Sequence, residues 1–262
     1  MIEILLSDPL FLVINKPSGI LTTSTFGVPS IQTILREQLA ENLSADREPF
    51  VEPPHRLDRG TTGALLIAST RKSLSNLSQQ FLHRQIRKRY LVAIPAVAIP
   101  TRTETQAQLV MDDGTLEDWM RKIPDVAQAE IVTKDTPGAK QAILNYRTLY
   151  QNEKGRILEI EMQTGRMHQI RLQFASRGYP ILGDRAYGSN FDWIKPTDTH
   201  QVLNDEDQSH VQHTALHASH LAFRHPKDAS WVIVNAPVCQ TWKDHFSKFD
   251  FASVSHQGSS VL

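Results

Sequence analysis

The chain has 262 residues, of which 40% are hydrophobic and 21% are charged, and this is the composition of a soluble globular protein. Its 28 basic and 28 acidic side chains give a formal net charge of zero, so the sequence lacks the overall basic charge that is common in nucleic-acid-binding proteins. The single cysteine, Cys239, excludes an intrachain disulfide framework, and no apolar run approaches the roughly 20 residues of a membrane helix, so we expect a soluble, cytoplasmic protein.

Apolar runs and helical spacing predict strands and helices in the first hundred residues. The strands cover residues 10–14, 64–68 and 90–94, and the first of them ends in the turn sequence Asn-Lys-Pro-Ser-Gly. Ser30 is a favourable N-cap for a helix that extends to about Leu43. A second helix is predicted from the spacing of four apolar residues, Leu74, Leu77, Phe81 and Leu82.

The rest of the chain is predicted to be richer in strands. Residues 101–140 show weak periodicity and many acidic side chains, and no element is predicted there. One helix is predicted over residues 168–177, closed by Gly178, and residues 252–262 form a flexible tail. Further strands are predicted over 142–150, 156–162, 216–223 and 231–234. Because strands outnumber helices and do not alternate regularly with them, we expect an α+β fold with a mixed sheet.

A short motif, His55-Arg56-Leu57-Asp58-Arg59-Gly60-Thr61-Thr62-Gly63, places one carboxylate between two arginines directly before a buried strand. Arg56 and Arg59 would keep Asp58 ionised, and loops at the ends of strands often carry catalytic residues. The glycines would allow a ligand to approach the backbone closely. A salt-bridged surface turn has the same spacing, so the motif by itself leaves both interpretations open.

Two further segments are basic. In Thr164-Gly165-Arg166-Met167-His168-Gln169-Ile170-Arg171, a helix would bring His168 and Arg171 to one face, and an ordinary basic helix start is the alternative. In Arg84-Gln85-Ile86-Arg87-Lys88-Arg89-Tyr90, four positive charges beside an aromatic ring suit phosphate contacts and base stacking, and a solvated charged run is the alternative. Both segments lie in basic windows: residues 53–100 hold 8 basic and 1 acidic side chains, and residues 162–190 hold 4 and 1.

Five histidines follow in the C-terminal part of the chain, at positions 210, 213, 217, 220 and 225. Zinc sites use closely spaced histidines, but on a strand His217 and His220 would face opposite sides, so no metal site is predicted. The sequence contains no P-loop, no G-x-G-x-x-G and no G-x-S-x-G motif, so no nucleotide or dinucleotide cofactor is predicted.

Five segments together resemble the RsuA/RluA family of RNA pseudouridine synthases, and its RluA branch in particular. They follow in order along nearly the whole chain: FLVINKPSG (11–19), HRLDRGTTG (55–63), KRYLVAI (88–94), TGRMHQIRLQFASRGYPILGDRAYG (164–188) and LHASHLAFRHP (216–226). The resemblance implies that family's fold, a mixed, largely antiparallel central sheet with flanking helices and loops and an active-site cleft across the sheet. It also implies a catalytic domain over residues 1–251, no cofactor, and no N-terminal S4-like RNA-binding domain.

The resemblance also implies roles for individual residues. Asp58 matches the catalytic aspartate, and Arg171 matches the arginine that pairs with the aspartate. Tyr90 matches an active-site tyrosine that stacks on the target base and helps to remove its C5 proton. Contacts to RNA are expected, from the resemblance and the basic segments, for His55, Arg56, Arg59, Thr62, Arg84, Arg87, Lys88, Arg89, Arg166 and His168. Two positions depart from the family pattern. Thr62 stands where the family more often has Ser, and Met167 stands where it more often has Thr or Ser.

We therefore expect an RNA pseudouridine synthase that acts as a monomer on ribosomal RNA or transfer RNA. Two alternatives come from other classes of protein. One is a non-catalytic RNA-binding module that kept the fold, which the presence of Asp58, Tyr90 and Arg171 disfavours. The other is a histidine–metal hydrolase, which metal analysis of the purified protein would test.

Overall fold

The computed structural model describes residues 1–23, 28–41, 48–99, 112–193 and 213–256. These residues form two units, and the paired strands that lie within one unit are called the sheet of that unit. Unit 1 holds the described residues among 1–88, together with 213 and 217–256, and unit 2 holds 89–99, 112–193 and 214–216. Leu43 and His210, which were part of the predictions, lie outside the described residues. None of the described helices has the length and apolarity needed to cross a membrane.

The elements of the described ranges are as follows. The strands are β1 (Glu3–Asp8), β2 (Phe11–Lys16), β3 (Thr62–Ala68), β4 (Arg87–Ile94), β5 (Asp113–Lys122), β6 (Ala129–Val132), β7 (Lys140–Asn152), β8 (Gly155–Met162), β9 (Leu216–Arg224) and β10 (Trp231–Asn235). The helices are α1 (Ile31–Ala40), α2 (Arg71–Leu82), α3 (Gln169–Ala175), α4 (Gln240–His245) and α5 (Phe251–His256), with a 3₁₀ turn at Arg185–Tyr187.

The sheet of unit 1 is mixed. Its strands β1, β2 and β3 pair antiparallel in that order, β3 pairs parallel with β9, and β10 pairs antiparallel with β9. Gly63 makes the β3–β9 contact possible: its φ is +107°, and a Cβ there would lie 2.3 Å from the Ala218 carbonyl oxygen. The sequence predicted that the glycines of this motif admit a ligand, but the backbone that approaches Gly63 is strand β9.

Unit 1 has an apolar core between its sheet and helix α2. Phe11, Leu66, Leu77 and Phe223 are among its buried members. Both long helices begin at a capping box, since the Ser30 hydroxyl accepts from the Thr33 N–H and the Thr70 hydroxyl accepts from the Ser73 N–H. The predicted Ser30 cap is therefore confirmed, and helix α1 ends at Ala40.

The sheet of unit 2 is antiparallel, with the strand order β4-β8-β7-β5-β6. Helix α3 packs Leu172 against the buried Met120, Ala129 and Ala142. The helix begins one residue later than predicted, because His168 has a left-handed φ of 53° and cannot be its first helical residue. It ends at Ala175, two residues before the predicted end.

The predicted α+β class with a mixed sheet is confirmed, and every predicted strand is present. Strands β1, β5 and β6 were not predicted. In β5, only Leu116 and Met120 are buried, and the polar Asp118 lies between them on the same face of the strand, so the apolar alternation of a half-buried strand is interrupted. Helix α5 occupies the first part of the predicted flexible tail, residues 252–262. The single catalytic domain over residues 1–251 stays a prediction.

Candidate active site

Asp58 lies in a tight turn of unit 1 that leads into strand β3. Its backbone carbonyl accepts a hydrogen bond from the Thr61 N–H at 3.0 Å, and its side chain is half-buried. Arg56 on the preceding side is exposed, whereas the Arg59 guanidinium turns back and donates through Nε to the Gly19 carbonyl at 2.8 Å. The two arginines that flank Asp58 therefore have different environments, and Arg59 helps to hold the turn.

The turn is held along its length by residues 16–22, which we call the clamp segment. Ser18 Oγ donates to the Gly60 carbonyl at 2.9 Å, and the Gly19 N–H donates to the Arg59 carbonyl at 2.8 Å. Thr22 Oγ1 donates to the Leu57 carbonyl at 2.9 Å and accepts from the Leu57 N–H at 3.1 Å. Because the Leu57 N–H and the carbonyls of Leu57, Arg59 and Gly60 are all bound, the direction in which the Asp58 side chain leaves the backbone is restricted.

Lys16, the first residue of the clamp segment, binds the Asp58 turn from the protein interior. Its side chain is fully buried, and Nζ donates to the carbonyls of Pro17, Arg59 and Thr61 at 2.9, 3.1 and 2.9 Å. Burial lowers the pKa of Lys16 from 10.5 to about 7, although the Asp58 carboxylate partly opposes this by attraction. The Lys16 ammonium group therefore binds the backbone of the turn and also attracts the Asp58 carboxylate that the turn carries.

His55, at the start of the motif, is bound inside unit 1. Its Nε2 accepts a hydrogen bond from the Leu66 N–H of β3 at 3.0 Å, and its ring stacks on Phe81 with 4.4 Å between centroids. Lys88 Nζ lies 5.7 Å from the centroid of the same Phe81 ring. Burial, with the nearby Lys88 charge, lowers the pKa of His55 to about 3, so the imidazole is neutral and carries its proton on Nδ1. The expected RNA contacts of His55 and Lys88 stay predictions.

Thr62 joins the motif to strand β9. Its Oγ1 lies 2.8 Å from His217 Nδ1, and His217 Nε2 lies 3.0 Å from the Ala236 carbonyl oxygen. Because a carbonyl can only accept, His217 donates from Nε2, and the Thr62 hydroxyl donates to Nδ1. Burial lowers the pKa of His217 to about 4, which keeps this neutral form. The Thr62 hydroxyl is thus bound to His217 inside the fold. The expected contact of Thr62 with RNA stays a prediction.

Arg171 lies at the centre of a buried network in unit 2. Its Nε and Nη2 donate to the two carboxylate oxygens of Asp184 at 2.7 and 2.8 Å, and Asp184 is fully buried. The Arg171 guanidinium carbon also lies 5.0 Å from the centroid of the Tyr187 ring. The bidentate ion pair and the ring fix the plane of the guanidinium. Pairing of Arg171 with Asp58 stays a prediction.

The segment before α3 is organised around Tyr187 and Gln169. His168 Nδ1 lies 2.9 Å from the Tyr187 hydroxyl, which also accepts from the Ala129 N–H at 3.0 Å. Gln169 Oε1 accepts from the Thr164 hydroxyl and from the Arg166 N–H. His168 precedes the helix instead of sharing its face with Arg171, and Tyr187 is the residue that contacts both.

Tyr90 and Arg89 are neighbours on β4 and point to opposite faces of the strand. Tyr90 is buried and lies opposite Ile160 of β8. Arg89 pairs with Glu159 at 3.4 Å, and Arg147 pairs with the other oxygen of the same carboxylate at 2.9 Å. Arg89 is thus held in an ion-pair network across the sheet of unit 2, and its contact with RNA stays a prediction.

The C-terminal histidines are used in separate hydrogen bonds. His213 Nδ1 lies 2.8 Å from Ser18 Oγ, His220 Nδ1 lies 2.7 Å from Asn235 Oδ1, and His225 Nε2 lies 3.4 Å from Asp8. Within the described ranges, no group of three or more His, Cys, Asp or Glu side chains is placed to hold a metal ion.

Comparison with known proteins identifies the family. A family model described as RNA pseudouridylate synthase matches residues 10–176, which cover the motifs around Asp58, Tyr90 and Arg171. The chain belongs to the RNA pseudouridylate synthase family. It is an RNA-modifying isomerase, and the resemblance to RNA pseudouridine synthases is confirmed.

Individual relatives support the same family and fold. The chain is 29% identical over 254 residues to tRNA pseudouridine synthase C of Pasteurella multocida, which covers 95% of this chain and 97% of that one. It is 29% identical over 242 residues to ribosomal large subunit pseudouridine synthase C of Buchnera aphidicola, with coverages of 92% and 68%. The solved structure of human RNA pseudouridylate synthase domain containing 4 has a TM-score of 0.67 and 21% identity, covers 94% of this chain, and shows the same fold.

Several residues that shape this site were not predicted from the sequence. They are Lys16, Ser18 and Thr22 of the clamp segment, with Asp184 and Tyr187 around Arg171. Four of the five fall in quoted segments, FLVINKPSG and the end of TGRMHQIRLQFASRGYPILGDRAYG. The two segments could have indicated that these residues matter for function. The hydrogen-bond partners of the residues are distant in sequence, however, and only the fold reveals them.

Proposed function

We propose that Asp58 is the catalytic carboxylate with which this synthase converts uridine to pseudouridine in structured RNA. One observation carries the proposal. The turn around Asp58 is bound at Leu57, Arg59, Gly60 and Thr61 by the clamp segment, whereas its side chain remains half-buried and able to meet a substrate. A rigid backbone under an accessible carboxylate is the arrangement that catalysis in a fixed geometry requires.

The chemistry needs no redox step and no energy source. The N1–C1′ bond of the uridine breaks, the uracil turns, and a new bond forms between C5 and C1′, after which C5 loses its proton and N1 gains one. A base inside an RNA stack cannot reach a side chain, so the nucleotide must be flipped out at a cost of a few kcal/mol. Stacking on an aromatic ring recovers roughly 1–3 kcal/mol, and we assign that role to Tyr90.

Arg171 supports the reaction by its charge. An ionised Asp58 can act as a nucleophile toward C1′ or C6 of the uridine, or as the base that removes the 2′ proton. A guanidinium close to the carboxylate would keep it ionised. Asp184 and Tyr187 hold the Arg171 guanidinium in one plane, so they would preserve its direction through the reaction.

The RNA target is proposed to be transfer RNA or ribosomal RNA. Relatives named for each of these substrates are similarly identical to this chain, at 29%. Pseudouridine mapping of total cellular RNA, with and without the gene, would locate the modified position. The loss of one or more pseudouridines from a specific RNA is expected. We also propose that the enzyme acts in the cytoplasm as a monomer.

The role of Asp58 is tested by the variant Asp58→Asn, which removes the charge and keeps the shape. Uridine labelled with tritium at C5 releases the label to water when pseudouridine forms, so turnover can be counted directly on an unmodified transcript. We expect Asp58→Asn to release no tritium above background while it retains most of its affinity for RNA. Glu37→Gln, which removes an exposed carboxylate of α1, is the matched control and should be fully active. Full activity of Asp58→Asn would overturn the assignment.

A further inference from the structure

The fold separates the charges of the basic segment Arg84–Arg89. Lys88 turns into unit 1, where burial lowers its pKa and its ammonium lies near the Phe81 ring. Arg89 is tied to Glu159 in unit 2. The side chains of Arg84 and Arg87 are exposed. The segment therefore does not form a continuous basic surface. The surroundings of its exposed arginines decide what those arginines can bind.

The neighbour of Arg87 in unit 1 is an aromatic ring on strand β10. The Arg87 guanidinium carbon lies 5.2 Å from the centroid of Trp231, and that of Arg224 lies 4.0 Å from the same centroid. Trp231 and Arg224 are direct partners in the β9–β10 register. The three residues, which we call the arginine–tryptophan surface, come from β4, β9 and β10.

The position of Arg224 is fixed by its backbone. The Gln80 side chain donates to the Arg224 carbonyl and accepts from the Arg224 N–H, both at 2.8 Å, so the end of helix α2 is joined to the end of β9. One guanidinium N–H of Arg224 reaches the Ala229 carbonyl at 3.2 Å. Arg224 is exposed, and it forms no ion pair with any residue in the described ranges. An arginine in this state carries a charge that no acidic side chain in the described part of the chain neutralises.

The chemistry of such a surface suits an RNA backbone. A guanidinium near an aromatic ring is weakly hydrated and keeps its planar set of N–H donors oriented, so a phosphate can accept two of them at once. Two guanidiniums near one ring present two such donor sets close together. The part-exposed Trp231 ring also offers a surface for an unpaired base or ribose.

We propose that the arginine–tryptophan surface of Arg87, Arg224 and Trp231 binds the sugar–phosphate backbone of the RNA substrate outside the Asp58 turn. The proposal rests on the proposed function, since it takes the RNA substrate of that reaction as its ligand. The surface would anchor the RNA and contribute to affinity, whereas the reaction itself would depend on Asp58. Loss of one of its arginines should therefore weaken binding without slowing turnover at saturating RNA.

The test uses the full chain, the variant Arg224→Gln, and unmodified transcripts of transfer RNA and of ribosomal RNA fragments as the probe. Arg71→Gln is the matched control, because it removes one exposed arginine from the opposite end of helix α2. We expect Arg224→Gln to raise Kd by roughly tenfold, the effect of one charge-assisted contact. It should also lower the slope of log Kd against log salt by about one, and kcat from tritium release should be unchanged.

A purely structural role for the stacked arginine gives a different result. In that case Arg224→Gln would lower the midpoint of urea unfolding and leave Kd equal to that of Arg71→Gln, which would overturn the proposal. Arg87→Gln, which keeps the Arg224 side chain and its bond to the Ala229 carbonyl, should show the same loss of affinity. It supplies the test if Arg224→Gln is unstable. Absence of tritium release from the wild type would instead count against the proposed function, because binding is measured independently of turnover.

Discussion

Thr22 offers the sharpest test of how the fold positions Asp58. Its hydroxyl is buried, and it binds both backbone groups of Leu57, the residue directly before Asp58. Thr22→Val keeps the size of the side chain and leaves a buried N–H and a buried carbonyl without this partner. Each unsatisfied group costs about 1–3 kcal/mol, so the two together should lower stability by roughly 2–6 kcal/mol. A typical domain is stable by about 5–15 kcal/mol, so most of this range leaves the protein folded.

The expected effect on the reaction is larger than that on binding. Misplacement of a catalytic group by about 1 Å can cost on the order of 100-fold in rate, so kcat for Thr22→Val should fall roughly 10- to 100-fold. The Kd for RNA should stay near the wild-type value. Thr22→Ser retains the hydroxyl and should recover most of kcat, which a role in packing alone would not predict. Urea unfolding gives the stability and tritium release gives kcat. A wild-type kcat in Thr22→Val would refute the claim that this hydroxyl positions Asp58.

Two further predictions concern Tyr90 and Lys16. Tyr90→Phe should retain RNA affinity through stacking but slow turnover, and a wild-type rate would exclude a role of the hydroxyl in proton transfer. For Lys16, the folded pKa of about 7 lies below the ordinary 10.5, so between these pH values the unfolded chain binds a proton that the folded chain does not. The free energy of unfolding should therefore rise with pH across this window, by up to about 1.4 kcal/mol per pH unit, and not below it. Lys16→Met should lack this contribution in urea unfolding measured from pH 7 to pH 10, and equal slopes for the two proteins would contradict it.

The elements that the sequence predicts well are those with strong local signals. Ser30 begins a helix because its hydroxyl binds the N–H three residues ahead, and the apolar run over residues 64–68 is buried on both faces. Strand β5 was missed because Asp118, which lies between its two buried residues, interrupts the apolar alternation. The start of helix α3 was predicted one residue too early because nothing in the local sequence indicates the left-handed backbone of His168.

The sequence by itself determined the family, the α+β class and the candidate residues Asp58, Tyr90 and Arg171, since motif spacing and hydrophobic pattern are local properties of the chain. Its zero net charge indicated nothing about RNA, because binding depends on where charges lie. Only the tertiary structure decided which of the basic side chains are exposed. It turned Lys88 inward, paired Arg89 with Glu159 and brought Arg87 and Arg224 to Trp231. These outcomes depend on contacts between residues up to 144 positions apart, such as Gln80 with Arg224, which no local pattern encodes.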